Sequence, residues 1–275
     1  MTTVAEPVPR GVLVRGIGRR IRDWVPAVLV FALGIAAWQW LVPALGIQKF
    51  LLPRFSAVAT TFWNDRSALW SEGWVTFKEA LGGFGIGCGL ALATALVLAR
   101  WRPLGSALMP YAVAANAIPI IAFAPITNAW FGALNPASKM AIAAVLCFFP
   151  VLINAQRGLT SVRPSSIELM HSYAASELEI FRRVRIPSSL PYVFTGLKVA
   201  SVLAMIGAIV GDYFGGSSQT LGIQILSATQ IFDFETAWAA IMVASILGIA
   251  FYAVIAVAER LVLRWHPSST GAQPE

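Results

Sequence analysis

Five polar side chains stand where the surrounding residues are apolar enough to cross a membrane: Asn116, Asn128, Asn154, Lys198 and Asp212. An amide, ammonium or carboxylate in hydrocarbon is costly, so it serves either a helix-to-helix hydrogen bond or a solute route. Both readings stay open for all five. Lys198 and Asp212 fall about four helical turns apart, roughly 21 Å at the rise of an α-helix, so they cannot pair within one helix. Lys198 can extend toward the interface instead. Other chemistry is sparse. A nucleophile-base set or a metal centre needs His, Cys and acids brought together. The two histidines, His171 and His266, lie in polar segments, while Cys88 and Cys147 lie in separate apolar runs, where a thiol acts as a small hydrophobe. No catalytic residue and no metal site is expected. No G-x-x-x-x-G-K-[ST] loop is present to cradle a nucleotide's phosphates.

The second chemistry-bearing stretch is "SIELMHSYAASELEIFRRVRIPSSLP", Ser166–Pro191, which gathers Glu168, Glu177, Glu179, Arg182, Arg183 and Arg185 between two apolar runs. Serines that can cap a helix precede Glu168, and Ile167, Met170 and Tyr173 recur at three-residue spacing. Ser176 can cap a second helix with Glu177 and Glu179 in its first turn. Leu178, Phe181 and Val184 repeat the spacing, and Pro187 is expected to stop the helix just before the next apolar run. Two short amphipathic helices of this kind are either a solvated loop on the membrane surface or an adaptor that seats in a groove of a partner.

The elements that must position these residues are membrane helices. The 275-residue chain is 57% hydrophobic and only 12% charged, with a mean hydropathy of +0.72; soluble domains carry about 25% charge. Apolar runs long enough to span a bilayer fall near residues 25–46, 74–99, 104–131, 137–157, 188–212 and 236–260. The expected fold is therefore all-α and polytopic, with about six transmembrane helices. The domain reading is a basic amphipathic segment over 1–24, a transmembrane domain over 25–262 and a tail over 263–275. The first run is read as an uncleaved helix. "GGFGIGCG", Gly82–Gly89, suits close helix packing. Pro119 and Pro125 are expected to kink the third span, which then faces other helices or a pathway. Short outer helices are expected in the loops after the first and fifth spans.

Net charge is +7, but the arginines cluster between spans and not in an aromatic-laced solvated patch, so no nucleic-acid partner is expected. Arg15, Arg19, Arg20, Arg22, Arg100, Arg102, Arg163, Arg182, Arg183 and Arg185 fall on one side. This bias places both termini in the cytoplasm.

The charged stretch resembles the cytoplasmic signature loop of ABC importer permeases: E-A-A, three residues, G, nine residues, then I-x-L-P. Glu168 takes the glutamate position, Leu169 and Met170 the alanines, Ala174 the glycine, Val184 the isoleucine, and Ile186 and Pro187 the leucine-proline pair. Alanine in place of glycine implies a turn in ordinary backbone space, or a kinked continuous helix. "IPIIAFAPITNAWFG", "RIPSSLPYVFTGLKVA", "GDYFGGSSQTLGIQI" and "LLPRFSAV" resemble the nitrate, sulfonate, taurine and pyrimidine-precursor branch, so the likeness covers residues 25–260. It implies the type I importer fold, with a coupling segment over 164–187 between spans four and five. It implies a bacterial inner-membrane permease working as a pair of copies, with two ATP-binding subunits and an external substrate-binding protein. This chain would bind no cofactor, ATP and Mg being held by the partner subunit, and would be no enzyme. The residues it would offer that subunit are Glu168, Met170, Tyr173, Ala174, Ala175, Ser176, Glu177, Leu178, Phe181 and Pro187, with Asn116, Asn128, Asn154, Lys198 and Asp212 as pathway candidates. The solute would be a sulfonate, nitrate-like anion, aromatic acid, pyrimidine precursor or flavin. The alternatives are an ion-coupled secondary transporter, for which no half-to-half repeat is visible, or a membrane-embedded enzyme.

Overall fold

The computed structural model describes residues 11–217 and 219–264, with side chains from Val25 onward apart from Arg102. The proposed tail, with His266, lies almost wholly outside them. Among the described residues the secondary structure is entirely helical. Helix α1 (Gly11–Ala44) carries the basic stretch and the first span in one piece; α2 (Phe55–Asn64) is short; α3 (Arg66–Arg100) is the second span. Helix α4 (Arg102–Ala115), a 3-10 turn at Ile120–Phe123 and α5 (Ala124–Phe131) occupy the third. Then come α6 (Pro136–Thr160), α7 (Pro164–Ser172), α8 (Glu177–Ile180), a π turn at Phe181–Arg185, α9 (Ile186–Tyr213), α10 (Leu221–Gln230) and α11 (Phe234–Val262).

Among the described residues five helices are long and apolar enough to cross a membrane, and the bent pair α4–α5 can make a sixth. The expected kink is far larger than a proline alone gives: the two halves meet at 88°. The helix ends at Asn116, and Pro119 takes an extended conformation (φ −61°, ψ 108°) before the chain turns again. Proline disfavours helical backbone at the residue before it, and here Pro119 itself is extended, so helix does not continue across the break.

The centre of the bundle is α6, sandwiched between α3 and α9. Small residues make this possible. A Cβ on Gly87 would come within 2.3 Å of the Ala144 carbonyl oxygen, and one on Gly83 within 2.4 Å of the Ala143 Cβ. On the other side of α6, a Cβ on Gly207 would come within 2.7 Å of the Ala143 Cα. The glycine run thus serves the close packing expected of it, since dispersion and backbone approach, not hydrophobic exclusion, hold helices together in lipid. Ala91, Ala95, Ala143, Ala155, Ala200, Ala204 and Ala208 continue these seams as buried residues. The rim of the bundle remains apolar and exposed, as with Phe31, Trp40, Ile249 and Val254.

The short helices α2 and α10 lie in the loops where they are expected. Trp38 of α1 ties the first in: its indole N–H donates to the Pro53 carbonyl at 3.0 Å, and its ring meets Trp238 of α11 at 5.2 Å.

Candidate functional site

The segment joining α6 to α9 is a rigid double turn. Helix α7 has proline in its first turn, where a missing N–H costs no hydrogen bond. It ends in a Schellman termination: the Ala175 N–H donates to the Met170 carbonyl at 3.1 Å, and the Ala174 N–H to the His171 carbonyl at 2.9 Å. This geometry requires a left-handed residue, and Ala174 supplies it with φ +56°. The expectation that alanine keeps this turn in ordinary backbone space, or in a kinked continuous helix, is therefore corrected. Satisfying the last carbonyls of α7 outweighs a left-handed strain of about 1–2 kcal/mol.

Helix α8 then starts on a complete capping box. The Ser176 N–H and hydroxyl donate to Glu179 Oε2 at 3.0 and 3.1 Å, and the Glu179 N–H donates back to Ser176 Oγ at 3.4 Å. The Ser176 backbone N–H and then its hydroxyl hold the Glu179 carboxyl below the usual range, with the Arg183 guanidinium adding to the effect. Glu177 faces His171 at 3.8 Å across the turn.

Pro187 does not stop the helix. Helical backbone runs from Glu177 to Tyr213, with Pro187 in the first turn of α9 after the π turn. A π turn shifts the hydrogen-bond pattern by one residue, which lets the missing N–H pass without a break. The second apolar face divides between surface and bundle. Leu178 is 65% exposed and Tyr173 76%, beside exposed Glu168, Ala174, Ser176 and Glu177, with Ala175 and Met170 half-buried. Phe181 and Val184 turn inward instead: both are half-buried, and Phe181 packs against the core. Phe181 thus belongs to the anchor of this segment and not to its outward surface.

Four of the five polar span candidates have partners. Lys198 and Glu259 form an ion pair at 2.7 Å that ties α9 to α11. Asn154 donates to the Pro150 carbonyl one turn earlier, at 2.8 Å. Asn128 donates to the Phe214 carbonyl at 2.9 Å, fastening α5 to the turn after α9. Asn116 is exposed at the break after α4.

Asp212 is fully buried and heads a polar node. It accepts from the Thr76 hydroxyl at 3.1 Å and from the Gly222 N–H at 3.3 Å, while Thr76 Oγ1 accepts from the Leu221 N–H at 3.0 Å. Two side chains thereby receive the N-terminus of α10, where a carboxylate also complements the helix dipole. Glu79 and Lys139 stand beside Asp212. The buried Lys139 ammonium donates to the Ala133 carbonyl and, at 2.6 Å, to the Gly215 carbonyl. The node stitches α3, α6, α9, α10 and two loops at one end of the bundle. Asn128 and Asp212 converge on this end; Asn116, Asn154 and Lys198 do not join them. Thr76, Glu79, Lys139 and Glu259 are polar residues of these joints that the sequence reading passes over. Yet Glu79, Lys139 and Glu259 sit inside the expected spans, so the rule that singles out Asp212 points to them too.

Known proteins are similar to this chain over most of its length. The riboflavin transport system permease protein RibX of Chloroflexus aurantiacus is 34% identical over 84% of this chain and 86% of its own length. The formylaminopyrimidine transport permease protein ThiX of Halalkalibacterium halodurans is 32% identical over 86% of this chain and 94% of its own. The SsuC permease protein of Escherichia coli, named for aliphatic sulfonates transport, is 27% identical over 96% and 97%. Residues 85–264, which include the double turn and the last three spans, match the model of the binding-protein-dependent transport system inner membrane component. The chain therefore belongs to that family, the membrane-spanning permeases of ABC importers.

Proposed function

We propose that this chain forms the translocation pathway of a bacterial inner-membrane importer, with Pro164–Pro187 as the seat for a separate ATP-binding subunit. The observation that carries the reading is the outward surface of the double turn. Two large apolar side chains, Tyr173 and Leu178, stand in solvent on a scaffold held by a Schellman termination and a capping box. Exposed apolar groups on a rigid support suit an interface in which a few anchors fill pockets of the partner. Glu168, Met170, Ala174, Ala175, Ser176 and Glu177 would border those anchors. Phe181 and Pro187 would pass movement to α9, as one rigid body, because helix runs unbroken through the π turn into that span. ATP and Mg belong to the partner, and this chain binds no cofactor. Two copies of the permease, two ATP-binding subunits and an external binding protein complete the assembly, with both termini and the double turn in the cytoplasm.

The solute is a neutral nitrogen heterocycle, a flavin or a pyrimidine precursor, ahead of a sulfonate. The names of two relatives above 30% identity support this class. So does the state of the span lysines: Lys198 is paired with Glu259, and Lys139 is committed to loop carbonyls, which leaves an anion poorly matched. Asn116, exposed at the α4–α5 break, is the pathway candidate with fewest internal commitments.

Substituting Leu178→Asp and Tyr173→Asp should abolish co-purification of the ATP-binding subunit and solute uptake while the permease still inserts and melts as before. Retention of subunit and uptake in both variants would refute the docking assignment.

A further inference from the structure

Two carboxyl groups meet inside the joint at the α10 end of the bundle, and both are hidden. Asp212 of α9 has no exposed surface, and Glu79 of α3 is 5% exposed. Their side chains lie within hydrogen-bonding reach of each other. Each presents one buried oxygen, Glu79 Oε2 and Asp212 Oδ1, that receives no N–H or O–H from the other described residues. A buried acceptor left in that state is destabilising, and two ionised carboxylates in contact are more so.

The groups packed around the pair offer these two oxygens no donor. From α3 the Thr76 hydroxyl goes to Asp212 Oδ2, and from α10 the Gly222 N–H goes to the same oxygen. From α6 the Lys139 ammonium gives its three N–H groups to the carbonyls of Ala133, Asn135 and Gly215. It stands near both carboxyls and sets one positive charge against their two potential negative ones. Tyr213, next to Asp212 along α9, is a further titratable neighbour, and its side chain reaches the surface.

We propose that Glu79 is a neutral carboxylic acid that donates its Oε2–H to Asp212 Oδ1, and that this one proton fastens α3 to α9 and α10. A protonated carboxyl has an O–H donor that a carboxylate lacks, so a single proton satisfies both orphaned oxygens. An O–H donated to a carboxylate is also among the stronger hydrogen bonds. The surroundings decide which acid carries the proton. Asp212 Oδ2 takes two donors and sits at the N-terminus of α10, where negative charge is favoured. Glu79 has no comparable support, so the charge stays on Asp212. With Lys139 the joint then sums to zero, which suits its place within apolar spans. Glu79 acts through Asp212 as a positioning residue, holding the carboxylate that receives α10.

All of these groups belong to this chain, so the test uses the full-length permease in nanodiscs at neutral pH. Its infrared spectrum should contain the carbonyl stretch of a protonated carboxylic acid, and Glu79→Gln should remove that band. Isotopic labelling of the aspartate carboxyls should leave the band where it is. Glu79→Gln keeps a donor, its amide N–H, so it should melt like the parent and protect the Gly222 N–H equally from exchange. Glu79→Met keeps the length and removes the donor; exchange at Gly222 should speed up about tenfold. An absent band, a band that survives Glu79→Gln, or one that moves with the aspartate label would overturn the proposal. So would exchange in Glu79→Gln as fast as in Glu79→Met, the pattern of an ionised Glu79, or parental exchange in Glu79→Met. Should Glu79→Met fail to fold, the infrared band and the melting of Glu79→Gln still decide.

Discussion

The two ends of the bundle solve opposite problems with the same residue types. At one end, Thr76, Glu79, Lys139 and Asp212 are hidden, and their polar atoms are spent on loop carbonyls and on the N-terminus of α10. At the other, Glu177, Glu179, His171 and Arg183 lie on the surface and bond only to their own turn. The first arrangement holds distant segments in place; the second shapes a surface for something else to meet. The difference teaches that charge in this chain does not mark function by its presence. Charge that secures its own turn leaves apolar groups exposed beside it, as the proposed interface requires, and charge that secures other elements marks a joint.

Mutations can break this contrast. Asp212→Ala removes the acceptor for Thr76 and Gly222 and leaves Glu79 as the one carboxyl beside Lys139 among the described residues. The expected loss is about 3–5 kcal/mol, read as a large drop in the melting temperature of the purified permease and faster amide exchange in the first turn of α10. If Asp212→Ala melts like the parent, the joint is decorative. Gly87→Leu forces a side chain into the backbone of α6 and should cost about 1–3 kcal/mol, again seen in the melt, with helix content retained.

Smaller effects sharpen the other end. Ala174→Gly relieves the left-handed strain and should stabilise the double turn by about 1 kcal/mol; slower amide exchange at Ala175 measures it, and faster exchange would count against the Schellman assignment. The capping box gives the smallest effect. The Glu179 carboxyl is held low by Ser176 and then Arg183, so its contribution is complete above the ordinary glutamate value and is lost as pH falls through the lower folded value. Exchange protection in α8 should therefore be level from neutral pH down to about pH 5 and decline in stronger acid. Glu179→Gln should flatten that decline.

Much of the fold is legible in sequence because a membrane span is written in contiguous residues. The six apolar runs fall on α1, α3, α4–α5, α6, α9 and α11, and the glycines of α3 lie on its seam with α6 as small-residue spacing implies. The 88° break was only half legible. Pro119 and Pro125 announce a distortion, but its size depends on how α5 docks, through Asn128, onto a turn far along the chain. The buried joint was legible in its charged residues, Glu79, Lys139 and Asp212, which sit inside apolar runs although only Asp212 is singled out above, but not in Thr76, which lies 136 positions from Asp212 with no local pattern linking them. In the double turn, the spacing that groups Leu178 with Phe181 does not tell which side of so short a helix meets the bundle, and Phe181 packs against the core while Leu178 is exposed. Pro187 hides as well, tolerated by the π turn at Phe181–Arg185 where an ordinary helix would end.

Cross-linking from single cysteines tests the central claim most directly. Cys88 and Cys147 are buried, so a reagent can be aimed at Leu178→Cys on the double turn and at Trp63→Cys near the opposite end, both exposed in the parent chain. In the assembled transporter, Leu178→Cys should cross-link efficiently to the ATP-binding subunit and Trp63→Cys should not. Cross-linking from Trp63→Cys with none from Leu178→Cys would place the motor at the wrong end of the molecule and contradict the assignment.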